Sequence, residues 1–306
     1  MKKIILLKII FLVCLIQLRA NSQDYDRVKE LQHYSTTHNL RKEEIRNMMQ
    51  KQPFVIDVIL GDEKSSGMGF FIEGEGLAMT SHHVVSGGDS ILAAIDGMLY
   101  QVEIVGFDEV LDVAVLKIKN VHSHSLQFAK SDPSLQTKIT IPEKRSHVSG
   151  KVVQVLGNSF IADVEIMQGA SGSPVFCGEA ICGVVTSFQK QTGNAIATKI
   201  SKIAKNLEKM TSGENFKKKK FDFYVMDLQK YDSISLDTDS HQKNLGVLIT
   251  HSTDENFHTW DIITAINTQK VSNVGDLQAI TGGIYANEEV TFTVMRGKET
   301  ITVVIP

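Results

Sequence analysis

Residues 67–85 read Gly67-Met68-Gly69-Phe70-Phe71-Ile72-Glu73-Gly74-Glu75-Gly76-Leu77-Ala78-Met79-Thr80-Ser81-His82-His83-Val84-Val85. An apolar run entered through glycines leads into a Gly-rich turn. A second apolar run follows, stops at two histidines and returns to valines. Runs this short suit strands rather than helices. The texture continues on both sides, with strands expected at 55–60, 90–95, 99–105, 114–118, 152–156, 160–165, 173–176, 180–186 and 194–198. Short strands at about 8–12-residue spacing with Gly-rich turns indicate an antiparallel sandwich or barrel, not an α/β fold. Ile200, Ile203, Ala204 and Leu207 then repeat at helical spacing, so a helix closes this β-rich region, taken as 53–212.

The chain of 306 residues has room for two domains. Residues 213–220, polar and ending in Lys217-Lys218-Lys219-Lys220, read as a solvated linker. Beyond it, 221–306 carries strand-like runs at 223–228, 246–250, 261–266, 290–295 and 300–305, with one helix over 273–282. That is a smaller α+β domain. Residues 23–52 are polar and helix-prone, ending at Pro53.

At the start, Met1-Lys2-Lys3, an apolar run to Leu18 and the small residue Ala20 outline a signal peptide over 1–22. It directs the chain to the periplasm or to secretion. An uncleaved membrane anchor is the alternative, weakened by an apolar core shorter than the roughly 20 residues that span a bilayer. Net charge is -3, so nothing global points to nucleic acid. Without Cys14, only Cys177 and Cys182 remain, flanking Gly178-Glu179-Ala180-Ile181 at an expected hairpin tip. They form either a disulfide or two buried thiols. Two cysteines without spaced histidines do not make a zinc pattern, and His122-Ser123-His124 reads as a loop.

Three segments carry chemistry, in the chain order His, Asp, Ser. Ser171 stands in Gln168-Gly169-Ala170-Ser171-Gly172-Ser173-Pro174. A serine hydroxyl needs a base to take its proton. The backbone N–H groups of Gly169 and Ser171 could meet the oxyanion if the turn aims both into one space. His83 is preferred to His82 as the base, because it stands three residues after Thr80, just before the apolar return. Asp112 opens the apolar run Val113-Ala114-Val115-Leu116, which holds its carboxylate near the core. There it can fix the tautomer of an imidazole and stabilise the imidazolium. The order matches β-barrel serine proteases rather than α/β-hydrolases or subtilisins.

Gly67–Ile72, Thr80–Val85, Asp112–Leu116 and Gly169–Pro174 together resemble trypsin-like serine proteases of the HtrA (DegP-like) type. The resemblance implies a mostly β protein, with a chymotrypsin-like double β-barrel and the active site in the crevice between barrels. It implies His83 as general base, Asp112 as its orienting group, Ser171 as nucleophile, and Gly169 and Ser171 as the oxyanion hole. It implies polypeptide substrates and no cofactor or metal, and it allows a homo-oligomer. The layout would line the specificity pocket with Glu165, Ile166 and Met167 on one side and Val185, Thr186 and Ser187 on the other, for small aliphatic side chains. Glu165 in that pocket would instead favour Lys or Arg; alternatively it points outward from its strand.

Two departures stand out. The nucleophile lies in Gly169-Ala170-Ser171-Gly172-Ser173 where the family has Gly-Asn-Ser-Gly-Gly. The family's Gly-Asn-Pro-Phe-Gly segment is missing between Ile139 and Gly157, so the second barrel is expected to be trimmed. The stretch Asp261–Asn267 with Val271, Leu277 and Val290–Gly297 resembles a PDZ domain, which would take a peptide or protein ligand by β-augmentation. Its carboxylate loop would fall at Lys220-Phe221-Asp222-Phe223, where the usual glycine is absent and Asp222 repels a carboxylate. These departures give a competing reading: a non-catalytic, protease-like binding or scaffold protein.

Overall fold

The computed structural model describes residues 53–73, 76–121, 126–143, 146–228 and 246–306. The expected leader over 1–22, the helical segment over 23–52 and His122 and His124 lie outside them.

The first barrel is built from β1 (Phe54–Leu60), β2 (Glu63–Glu73), β3 (Leu77–Thr80), β4 (Ser90–Ile95), β5 (Met98–Asp108) and β6 (Val113–Ile118). They pair in the order β5-β4-β1-β2-β3-β6, and β5 also pairs with β6, which closes the ring. A single turn of helix, α1 (His82–Val85), follows β3. Alternation along the strands fills the interior: Phe54, Ile56 and Val58 point in, while Val55, Asp57 and Ile59 are less buried.

The second barrel is the closed ring β10-β11-β12-β9-β8-β7. Its strands are β7 (Lys138–Pro142), β8 (His147–Val155), β9 (Ser159–Glu165), β10 (Pro174–Cys177), β11 (Ala180–Phe188) and β12 (Asn194–Lys199). Its core gathers Ile139, Ile141, Val152, Phe160, Val164, Val175 and Val185. The expected trimming therefore spares all six strands. The sequence carries no strand signal for β7 and only part of one for β8. Lys138–Pro142 is short and ends in proline, and β8 runs through Gly150, a poor strand former.

The two barrels share a third cluster that includes Phe70, Met79, Val113, Val115, Ile181, Val184, Ile200 and Ile203. Period-2 alternation explains it. Phe71, Ala78, Ala114 and Leu116 face the first barrel's interior, and their neighbours Phe70, Met79, Val113 and Val115 face the seam. A strand buried on both faces reads as a continuous apolar run, as Val113-Ala114-Val115-Leu116 does. The closing helix α2 (Ile200–Thr211) seals the seam with Ile200, Ile203 and Met210.

Residues 213–220 are mostly exposed, as a solvated linker would be, but the segment is docked by backbone bonds and by Lys219. After β13 (Asn215–Phe216), which runs parallel to β5, Lys219 is 6% exposed and donates from Nζ to the carbonyl of Pro306. The C-terminal unit is a sheet ordered β14-β15-β16-β18-β19: β14 (Phe223–Asp227), β15 (Val247–Ser252), β16 (Ile262–Ile266), β18 (Val290–Arg296) and β19 (Glu299–Ile305). The short β17 (Gln269–Lys270) pairs with β16. One helix, α3 (Val274–Thr281), is capped by Asn273, whose side chain accepts from the Asp276 N–H. This is the α+β domain expected.

Cys177 and Cys182 form a disulfide across the β10–β11 hairpin. In the chain-entropy picture so small a ring contributes about 2 kcal/mol. Replacing both by alanine is expected to lower the unfolding free energy by roughly that amount, read as a reduced urea midpoint at unchanged slope.

Candidate active site

The first barrel supplies His83 and Asp112. Asp112 sits between β5 and β6 with φ +52, a left-handed conformation that a non-glycine residue holds only under constraint. Its Oδ2 accepts from His83 Nδ1 at 2.7 Å, and its Oδ1 accepts the backbone N–H of the same histidine at 2.9 Å. The Asp112 carbonyl accepts the N–H of His82 at 3.1 Å. One aspartate thus fixes both the ring and the backbone of His83. With Nδ1–H donating to the carboxylate, Nε2 is left as the free base nitrogen.

His82 turns away and stacks on Phe107 at 4.4 Å between ring centroids. The adjacent rings shift in opposite directions. Burial holds His82 below the ordinary histidine value, against the pull of Asp112 and Glu109. The hydrogen bond to Asp112 raises His83, against a smaller effect of burial.

The second barrel supplies Ser171. Gly169 and Gly172 flank it at φ +91 and +86. At Gly172 a Cβ would lie 2.1 Å from the Met68 carbonyl oxygen, so this position needs glycine for space as well as for conformation. The turn is tied across the seam. Met68 N–H donates to the Ser171 carbonyl at 2.8 Å, and Thr80 Oγ1 donates to the Met68 carbonyl at 2.7 Å. Gly172 N–H and Ser81 Oγ both donate to the Val185 carbonyl. Among the described residues no acceptor takes the N–H of Gly169 or of Ser171, so both donors are open. The Ser171 hydroxyl makes no hydrogen bond to His83 among them either.

The expected pocket walls are partly corrected. Val185 does not line a pocket with its side chain, which is fully buried in the second barrel's core; its carbonyl accepts from Gly172 N–H and Ser81 Oγ beside Ser171. Ile166 packs against the same core. Glu165 is exposed at the outward end of β9, its stem over Gly193. Thr186 is half-buried, with Oγ1 3.5 Å from Thr198 Oγ1, and Ser187 is exposed. Met167 is 71% exposed, and its N–H donates to Glu143 Oε1. A cavity of about 300 Å³ lies between Gly67, Met68, Glu143, Gly169 and Met167, which was expected at a pocket wall.

The sequence reading missed Asp108 and Glu143. Asp108 caps the turn before Asp112, accepting from the Val110 and Leu111 N–H groups at 3.0 and 2.9 Å. An Asp opening a tight turn is the signal that could have found it. Glu143 carried none, because its partner is 24 residues away.

The family model described as a trypsin-like peptidase domain matches residues 67–181, and that of a PDZ domain matches 242–306. A protein of Marinomonas sp. (strain MWYL1), named as a DegP-like periplasmic serine endoprotease, is 28% identical over 277 residues, covering 80% of this chain and 58% of that protein. The chain thus carries a trypsin-like peptidase domain followed by a PDZ domain, and it is similar to DegP-like proteins. Another DegP-like relative, from Halomonas elongata, is 33% identical over 130 residues, covering 38% of this chain and 27% of that protein. The fold is similar to that of the crystal structure of the serine endoprotease from Yersinia pestis, with TM-score 0.57, 18% identity, and 84% of this chain and 93% of that one covered. The chain spans little more than half the length of the Marinomonas relative.

The two histidines give the site a direct check. In an NMR titration His83 is expected to titrate above the ordinary value of about 6.5 and His82 below it. Asp112→Asn removes what raises His83 and leaves burial, so its midpoint should fall below that value while His82 stays low.

Proposed function

We propose that the chain is a serine endopeptidase that hydrolyses polypeptides through an acyl-enzyme, with His83, Asp112 and Ser171 as its triad. The observation that carries this reading is the double hold of Asp112 on His83, ring and backbone; the Ser171 turn, with two N–H donors that no acceptor takes among the described residues, supports it. Ser171 Oγ attacks the scissile carbonyl while His83 Nε2 takes its proton. Asp112 stabilises the imidazolium without taking a proton itself. The N–H groups of Gly169 and Ser171 receive the oxyanion, a contribution of roughly 3–4 kcal/mol per donor in such sites. The imidazolium then protonates the leaving amine, and water, deprotonated by His83, releases the acid from Ser171. The Ser171–His83 bond forms in this account when substrate closes the site, as catalytic hydrogen bonds often do.

That missing bond also favours the second reading, a protease-like scaffold that binds without cleaving. Fluorophosphonate labelling and casein cleavage separate the two. Wild type is expected to label and cleave, and Ser171→Ala to lose about 10⁴–10⁶-fold in kcat. A folded wild type that does neither supports the scaffold.

Residues 53–212 form the proposed protease domain, 213–220 its connection and 221–306 a PDZ-like domain for docking or regulation. The leader-like start and the relatives' printed name support a periplasmic or secreted location. Among the described residues no helix is long and apolar enough to cross a membrane. The outward Glu165 supports a preference for small aliphatic residues before the scissile bond. A peptide library varied at that position is expected to show it; preference for Lys or Arg would put Glu165 in the pocket.

A further inference from the structure

The carboxylate of Asp108 is fully buried, yet it belongs to no catalytic step. It has four donors. Oδ1 takes the N–H groups of Val110 and Leu111, the turn that leads to Asp112. Oδ2 takes Asn206 Nδ2 of α2 at 2.8 Å and the Tyr285 hydroxyl at 3.0 Å. Tyr285 lies in the C-terminal unit, 177 residues away in the chain. A buried carboxylate must be fully partnered to stay where it is, so one of the four supports of this turn comes from the other domain.

The rest of the junction runs to the same place. Glu109 N–H donates to the Phe216 carbonyl, and Lys218 N–H donates to Glu109 Oε2, both at 2.9 Å. Phe216 packs edge-on against Tyr285. Lys219 N–H donates to the Ile284 carbonyl and Ala286 N–H to the Lys217 carbonyl, which locks the segment around Tyr285 onto residues 217–219. Tyr285 and residues 216–218, which the C-terminal unit holds, thus grip residues 108 and 109, four and three positions before Asp112.

Asp112 makes that grip consequential. Its left-handed backbone is a strained state that relaxes unless its surroundings hold it. Leu111 is buried and its carbonyl accepts from Thr198 Oγ1, which fixes the turn from the second barrel. Asp108 fixes it from the other end.

We infer that Tyr285 is a positioning residue for the active site: its hydroxyl, through the Asp108 carboxylate, holds the turn that presents Asp112 to His83. This rests on the triad reading given above. Burial and the neighbouring Asp108 charge push the Tyr285 hydroxyl well up, so it remains a donor across the working range. The C-terminal domain is then part of the support of the catalytic aspartate, and any ligand or contact that pulls the 284–286 segment from residues 217–219 would weaken the triad.

The test is Tyr285→Phe in the full chain, which keeps the ring against Phe216 and removes only the donor. With a fluorogenic peptide, kcat is expected to fall about tenfold at unchanged KM, the size of one hydrogen bond to a charged acceptor. The downfield proton resonance of His83 Nδ1–H should move or broaden. In an Asp108→Asn background the same change should have no further effect, because both act through one contact. A kcat within twofold of wild type with an unmoved resonance overturns the inference. So does an equal loss in both backgrounds. If wild type itself neither labels nor cleaves, the triad reading fails, and the resonance alone decides: a shift in Tyr285→Phe upholds the coupling and an unmoved signal removes it.

Discussion

Asp112 holds His83 twice, by the ring at 2.7 Å and by the backbone at 2.9 Å, and the rest of the site is arranged around that hold. A carboxylate with one partner could swing. One that takes the ring and the peptide N–H of the same residue fixes where the imidazole starts and which way it faces. It also sets the tautomer, leaving Nε2 free, and raises the basicity of the ring. The price is local strain, since Asp112 sits at φ +52. Asp108, Leu111 and the His82 N–H oppose that strain from three sides.

Ser171, the proposed nucleophile, comes from the other barrel, so its register depends on the seam. Apolar packing of Phe70, Met79 and Val115 against Ile181, Val184 and α2 supplies the non-directional part. Direction comes from a few hydrogen bonds that cross with it. Met68 meets the Ser171 carbonyl, Ser81 and Gly172 share the Val185 carbonyl, and Thr80 holds Met68 in turn. Gly172 lets the chains approach this closely, and no side chain could replace its hydrogen there. Two simple barrels become one site because these contacts fall within a few residues of His83 and Ser171.

Much of this was legible in the sequence, for physical reasons. Strand alternation and the two-sided burial of Val113–Leu116 leave a clear pattern, and His83, Asp112 and Ser171 stand at the ends of such runs. The preference for His83 over His82 rested on spacing; in the structure His83 pairs with Asp112 while His82 stacks on Phe107. Other features left no trace. Lys138–Pro142 is too short and proline-ended to read as a strand, yet it closes a barrel. Val185 matched a pocket wall by position, but its side chain alternates into the core. The lysines at 217–220 looked like a solvated linker, whereas backbone pairing with residues 284–286 docks them. Contacts between residues far apart in the chain, Asp108 with Tyr285 above all, have no local signature.

The account stands or falls on whether Ser171, the two open N–H groups and His83 converge on one reacting centre. A crystal structure of the protein treated with a peptidyl phosphonate tests this most directly. Phosphorus is predicted to be bonded to Ser171 Oγ, with the phosphoryl oxygen roughly 2.7–3.1 Å from the N–H groups of both Gly169 and Ser171. His83 Nε2 should hydrogen-bond to the adduct while its bonds to Asp112 persist. A label on another residue, or a phosphoryl oxygen turned away from both N–H groups, would contradict it.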